Sequence, residues 1–227
     1  MSSIVYGKNS FFEALNNKRI ICAYVLNDSD IKDKHVNYKV VDRKTLDKMS
    51  GSGNHQGYLA QVKDYELSSV DSMVKEKNGL IVILDGLEDV HNLGAIIRTC
   101  ECAGVDGVIY KTHNSVKVND TVAKVACGAL EYVKVAEVTN LVNTIKDLKK
   151  KGYWIVGSDG GSDTSYTDLK YDFNTVLVIG SEGRGMSRLV KEECDYIISL
   201  PMNGHVTSLN ASVAAGILIY NVINARK

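Results

Sequence analysis

A chain of 227 residues, 44% of them hydrophobic, is long enough for one large domain or for a small domain followed by a medium one, each with a real apolar core. Lys plus Arg number 27 and Asp plus Glu number 27, so there is no net field to draw in a polyanion, and a nucleic-acid partner must be held by a local patch. Five cysteines without a C-x-x-C pair argue against a disulfide framework and a zinc ribbon, no basic leader precedes a long apolar run, and no stretch approaches the roughly 18 apolar residues of a membrane span. A cytoplasmic protein with reduced thiols, no metal and no membrane anchor is expected.

In chain order, the pattern predicts a helix over 10–17, short strands over 21–26 and 38–41, and a further strand over 57–62 after the glycine-containing GSGNHQG. This first part reads as a compact α+β unit, residues 1–67. SSVDSMVKEKN (68–78) is polar enough for a linker over 68–77, and a short helix there fits equally well. From residue 78 to 227 the pattern changes to short apolar runs alternating with amphipathic helices. LIVIL (80–84), GVIY (107–110), YWIVG (153–157), TVLVIG (175–180) and YIISL (196–200) read as strands, with helices over 92–103, near 120–130, and over 140–151, 186–193 and 208–225. Continuous apolar strands separated by helices predict an α/β fold, a parallel sheet with helices on both faces.

Several motifs carry chemistry or merely turns. GSEGRG (180–185) follows a strand, at the carboxyl end where open α/β sheets bind ligands. Its G-x-x-G-x-G spacing is neither the dinucleotide fingerprint nor a P-loop, and a simple tight turn accounts for it equally well. Glu182 and Arg184 read as a solvated pair when taken alone, and Asn92 as a helix N-cap. Arg98, however, stands on a helix of mostly apolar or small residues and requires an anionic partner. His91 and His205 read as loop histidines, since neither has a nucleophile or carboxylate in register, and neither G-x-S-x-G nor H-E-x-x-H occurs. In PMNGHVTSLNASVAAGILIY (201–220), capping and close packing explain Ser208, Ser212 and the alanines but leave Asn210 without a task.

Three separated stretches, NLGAIIR (92–98), VIGSEGRG (178–185) and SLPMNGHVTSLNASVAAGI (199–217), resemble in order and spacing the three motifs of the SpoU branch of the SPOUT RNA methyltransferases. VYGKNSFFEAL (5–15) and NHQGYLAQV (54–62) resemble the small L30e-like substrate-binding domain of the bacterial 23S rRNA guanosine 2′-O-methyltransferases. The resemblance implies a C-terminal deep trefoil knot, a homodimer, and S-adenosylmethionine as cofactor. It places cofactor contacts on Gly180, Leu200 and Leu209, with Gly160, Met202 and Ser208 beside them, and the catalytic set on Asn92, Arg98, Glu182, Ser208 and Asn210. Ala211 stands where many relatives have valine, a small apolar exchange.

The implied reaction is 2′-O-methylation of a ribose in structured RNA, a guanosine of 23S rRNA. A tRNA ribose is the nearest alternative, and a non-catalytic RNA-binding assembly protein a more distant one. Lys8, Lys18, Arg19, Lys32, Lys34, Arg43 and Lys44 are candidate phosphate contacts, although Asp28, Asp30, Asp33 and Asp42 are interspersed and ordinary solvated surface explains most of them.

Overall fold

The computed structural model describes residues 2–51, 53–63, 66–112 and 116–227. The chain forms two compact units, Met1–Glu66 with Val118–Tyr132, and Leu67–Lys117 with Val133–Lys227. The second unit therefore does not take in all of 78–227, as the sequence pattern suggests, because 118–132 packs with the first.

In the first unit, β1 (Ser2–Tyr6), β2 (Ile20–Val25), β3 (Tyr38–Val40) and β4 (Tyr58–Lys63) form a sheet in the order β1-β4-β2-β3. β4 is antiparallel to both neighbours, and β2 and β3 are parallel. One face is covered by α1 (Lys8–Asn16), whose Phe11 and Ala14 pack on Val5, Ala23, Val25, Ala60 and Val62. α2 (Arg43–Met49) starts where the Asp42 side chain accepts from the Thr45 amide, and buries Leu46. α4 (Asp120–Ala126) and the 3-10 turn at 129–131 join this unit because Glu131 pairs with Arg19 and the Tyr132 hydroxyl donates to Glu13, 2.7 Å away. Apolar periodicity alone does not reveal whose core a short amphipathic helix serves.

Among the described residues, the second unit holds a six-stranded, wholly parallel sheet in the order β10-β8-β9-β5-β6-β7. The strands are β5 (Leu80–Asp85), β6 (Gly107–Lys111), β7 (Val135–Val138), β8 (Tyr153–Ser158), β9 (Asn174–Gly180) and β10 (Tyr196–Ile198). All six residues of β5 are buried, as befits a central strand covered on both faces. Ile81, Ile83, Val176 and Val178 face one layer, which contains α5 (Leu141–Lys150) and Val190 of α6 (Arg188–Glu192). On the other side α3 (Val90–Cys102) packs on β6 and on α7 (Ala211–Ala225), and α7 on β9.

The polar stretch at 68–77 is no loose connector. It forms a 3-10 turn at 70–73 whose Met73 enters the core in the space above Gly107, where a side chain would collide with it. Of the two readings the sequence allows, a loose linker or a short helix, the short helical turn is the one seen, and a single buried side chain in ten residues is enough to anchor it.

From β5 the chain runs to β6 and β7 on one side, then crosses to build β8, β9 and β10 on the other. The carboxyl ends of β5 and β9 are adjacent, Asp85 opposite Gly180, and so form the topological switch point where open α/β sheets bind ligands.

Candidate active site

The loop after β9 is closed on itself. Ser181 and Gly185 exchange backbone hydrogen bonds of 3.0 Å each way, with Gly183 and Gly185 at positive φ. A Cβ on Gly180 would lie 2.3 Å from the Gly185 carbonyl carbon, so the strand and the returning loop touch backbone to backbone. GSEGRG is thus a tight turn, and one that carries Glu182 to its tip. The turn is pinned from below by Asp85, 8% exposed, whose carboxylate accepts from the Ser187 amide at 2.6 Å.

Glu182 Oε1 accepts three hydrogen bonds: from Asn92 Nδ2 at 3.0 Å, from Asn210 Nδ2 at 2.7 Å and from the Ala211 amide at 2.9 Å. Asn210 Nδ2 also donates to Asn92 Oδ1 at 2.9 Å, while its own Oδ1 caps α7 by accepting from the Ser212 and Val213 amides. Asn210 is therefore both the helix cap and a bridge to the loop after β9. Asn92 is not the cap of its helix. Asp89 accepts from the His91 amide and holds that position, which leaves Asn92 in the first turn, 5% exposed and aimed at the cluster.

Beside this cluster lies a cavity of about 340 Å³, framed by the ends of β8 and β9 and by the segment entering α7. Gly160, Gly180, Leu200, Met202, Ser208 and Leu209 all line it, and so does Glu182. Among the described residues, Arg184 is the one basic side chain on its wall. Asp159, which also borders the cavity, accepts from Lys191 Nζ at 2.8 Å and from the Gly161 amide at 2.9 Å, and these contacts, the lysine first, hold its carboxyl below the usual range.

Arg98 stands apart from the cluster's hydrogen bonds. Six residues beyond Asn92 on α3, it is displaced by about 9 Å along the axis and turned to another face, where it is exposed. His91 and His205 are exposed as well. Burial pushes the Cys194 thiol up to about 12 and raises Cys100 too, so neither offers a thiolate, and no disulfide joins any of the five cysteines. Among the described residues no group of three or more His, Cys, Asp and Glu side chains is arranged to hold a metal ion, and no helix is long and apolar enough to cross a membrane. Asp85 and Asp159 belong to none of the motifs in the sequence. An acidic residue directly after a buried strand, as in LIVILD, was the available signal for the first.

The pattern of the SpoU rRNA Methylase family matches residues 79–220, which span the sheet, the cluster and the cavity. The chain belongs to the SpoU rRNA methylase family. A second pattern, RNA 2′-O ribose methyltransferase substrate binding, matches residues 4–68 of this methylase. A protein of Staphylococcus haemolyticus (strain JCSC1435), assigned to the TrmH family of tRNA/rRNA methyltransferases, is 47% identical over 86% of this chain and 80% of its own. YacO of Bacillus subtilis (strain 168), assigned to the same family, is 42% identical over 98% and 95%. In fold, the methylase is similar to the SpoU methyltransferase AviRb from Streptomyces viridochromogenes, solved in complex with AdoMet (TM-score 0.86, 20% identity, 99% of this chain and 90% of that one). The methylase is accordingly an RNA methyltransferase by family.

Proposed function

We propose that this methylase moves a methyl group from S-adenosylmethionine to a ribose 2′-hydroxyl of structured RNA, a guanosine of 23S rRNA, as a cytoplasmic homodimer. The observation that carries the reading is the convergence on Glu182 Oε1 of Asn92, Asn210 and the first amide of α7, at the edge of the cavity. Three stretches, 118 residues apart at the extremes of Asn92 and Asn210, thus meet beside the cavity, which supports a donor and an acceptor brought together there.

The cavity fits the cofactor. Ile179, Leu200, Met202 and Leu209 supply apolar wall for a purine, Asp159 and Ser208 supply polar partners, and a single arginine makes it a poor site for a polyphosphate. When bound, S-adenosylmethionine supplies a methyl group already activated by its sulfonium charge. The task left to the protein is the acceptor, since a ribose hydroxyl is a weak nucleophile. Glu182 fixes Asn210 and Asn92, and through them the segment carrying Ser208. Arg98 serves to stabilise the developing alkoxide and to grip the neighbouring phosphate through its planar, forked guanidinium.

The reading includes a homodimer and a C-terminal knot. α7 is apolar nearly all round, and Val213, Ile217 and Tyr220, 38–48% exposed, form a stripe on the face turned away from the sheet. The segment 201–210 is exposed throughout, and its last residue is tied to the loop after β9; the knot is read from the likeness of the three motifs to those of the family. The first unit is read as the L30e-like substrate-binding domain.

The test is methyl incorporation from labelled S-adenosylmethionine into purified 23S rRNA and into tRNA, followed by primer extension to map the mark. Incorporation into 23S rRNA supports the reading, and incorporation into tRNA alone replaces the substrate. Arg98→Ala is expected to keep cofactor and RNA affinity while turnover falls by about 100-fold or more, the scale of one lost electrostatic stabiliser. Normal turnover removes Arg98 from the chemistry.

A further inference from the structure

The first unit contains a cavity that the catalytic cluster does not use. It has a volume of about 470 Å³ and lies between Leu26 at the end of β2, Arg43 and Asp47 of α2, and the loop 53–57.

Its floor is rigidly built. His55 is 4% exposed and both ring nitrogens are engaged: Nδ1 accepts from the Gly57 amide at 2.9 Å, and Nε2 faces Asp47 Oδ1 at 3.1 Å. A ring nitrogen that accepts an amide proton carries none of its own, so in the neutral ring Nε2 donates to Asp47. This clamp holds Gln56 and Gly57 in consecutive left-handed conformations, with φ of 52° and 88°. The Gln56 side chain is fixed in turn, because its Oε1 accepts from the Lys8 amide at 2.9 Å.

The polar groups on this floor are held but not consumed. The Gln56 amide NH₂ and the side chains of Asn54 and Arg43 have no hydrogen-bond or ion-pair partner among the described residues. Arg43 and Asp47 are four residues apart on one face of α2 and still form no ion pair, since Asp47 is turned to His55. Leu26, 39% exposed, gives the cavity an apolar wall.

We infer that this cavity takes one unpaired nucleotide of the RNA substrate, with its base against Leu26, the amides of Asn54 and Gln56 on the base edge, and the Arg43 guanidinium on a phosphate. Carboxamides match the paired donor and acceptor of a base edge, and the guanidinium fork matches a phosphate. Sequence-specific RNA binding commonly works through such splayed-out bases. A nucleotide offers what a peptide segment lacks here, a flat face for Leu26 joined to an anion for Arg43. The inference rests on the RNA-methyltransferase reading above and adds to it the place where the first unit reads the substrate.

The experiment measures the affinity of the full-length protein for large-subunit RNA purified from cells lacking the gene, alongside methyl incorporation into the same RNA. Arg43→Ala and Asn54→Ala are each expected to weaken RNA affinity by about tenfold, and Arg43→Ala to lower the salt dependence by about one phosphate contact. S-adenosylmethionine affinity and thermal unfolding are expected to be unchanged, which separates a binding loss from misfolding. Lys48→Ala removes an exposed charge from the same helix outside the cavity and is the control. Unchanged affinity in both variants, or an equal loss in Lys48→Ala, overturns the inference. An affinity loss in the two variants with no incorporation by the wild-type protein upholds the pocket and overturns the substrate assignment instead.

Discussion

Asn210 carries two duties on one side chain: its oxygen starts a helix and its nitrogen reaches Glu182 and Asn92. The sequence showed that a cap alone left Asn210 unexplained, and the motif resemblance named its partners, but only coordinates show that one carboxylate oxygen collects all three donors. Arg98 marks the opposite case. Its presence on a dry helix was legible, whereas its direction was not, because six residues of helix turn a side chain to another face. Asp159 permits a prediction at this scale. Its folded pKa is lowered, chiefly by Lys191, so its contribution to stability is complete above the ordinary aspartate range and is lost as pH falls through the lowered value. Asp159→Asn is therefore expected to destabilise the protein near neutrality, with the difference from wild type shrinking as urea unfolding is repeated at acidic pH. A constant difference would place the effect elsewhere than in the charge.

Among the elements, those with several turns or a continuous apolar run were readable: β5, β9 and α7 each sit within a few residues of the expected ranges. β1, α2 and β7 were not foreseen. Each is seven residues or fewer, and α2 shows a single buried side chain, Leu46, too little to display a period. These short pieces are held by what they touch, as β1 is by its antiparallel register with β4. α7 leads to a second prediction. A helix apolar nearly all round belongs inside something, and its outer stripe of Val213, Ile217 and Tyr220 stays 38–48% exposed among the described residues. Ile217→Lys is expected to convert a dimer to a monomer in sedimentation or light scattering and to lower activity with it. A wild-type protein that sediments as a monomer would instead leave the stripe without a partner copy.

For the molecule as a whole, Arg226 acts as a clasp near the end of the chain. Its guanidinium donates to the carbonyls of Tyr171, Asn78, Gly79 and Phe173 and to the Thr175 hydroxyl, at 2.8–3.2 Å. These acceptors lie where β5 and β9 begin, so the far end of α7 is fastened to the amino ends of the two central strands, opposite the candidate active site. Arg226→Met is expected to lower the unfolding free energy by about 3 kcal/mol in chemical denaturation, through lost charge-assisted bonds and carbonyls left wanting a donor. Arg226→Lys is expected to recover only part of this, since one ammonium cannot span five acceptors.

The first unit is assembled from two separated stretches, 1–66 and 118–132, so the chain passes between the units three times. A unit built in this way is not a detachable cassette. Whoever transplants it to another catalytic partner must carry over the later insert as well, and evolution, in exchanging one for the other, faces the same need for three simultaneous cuts.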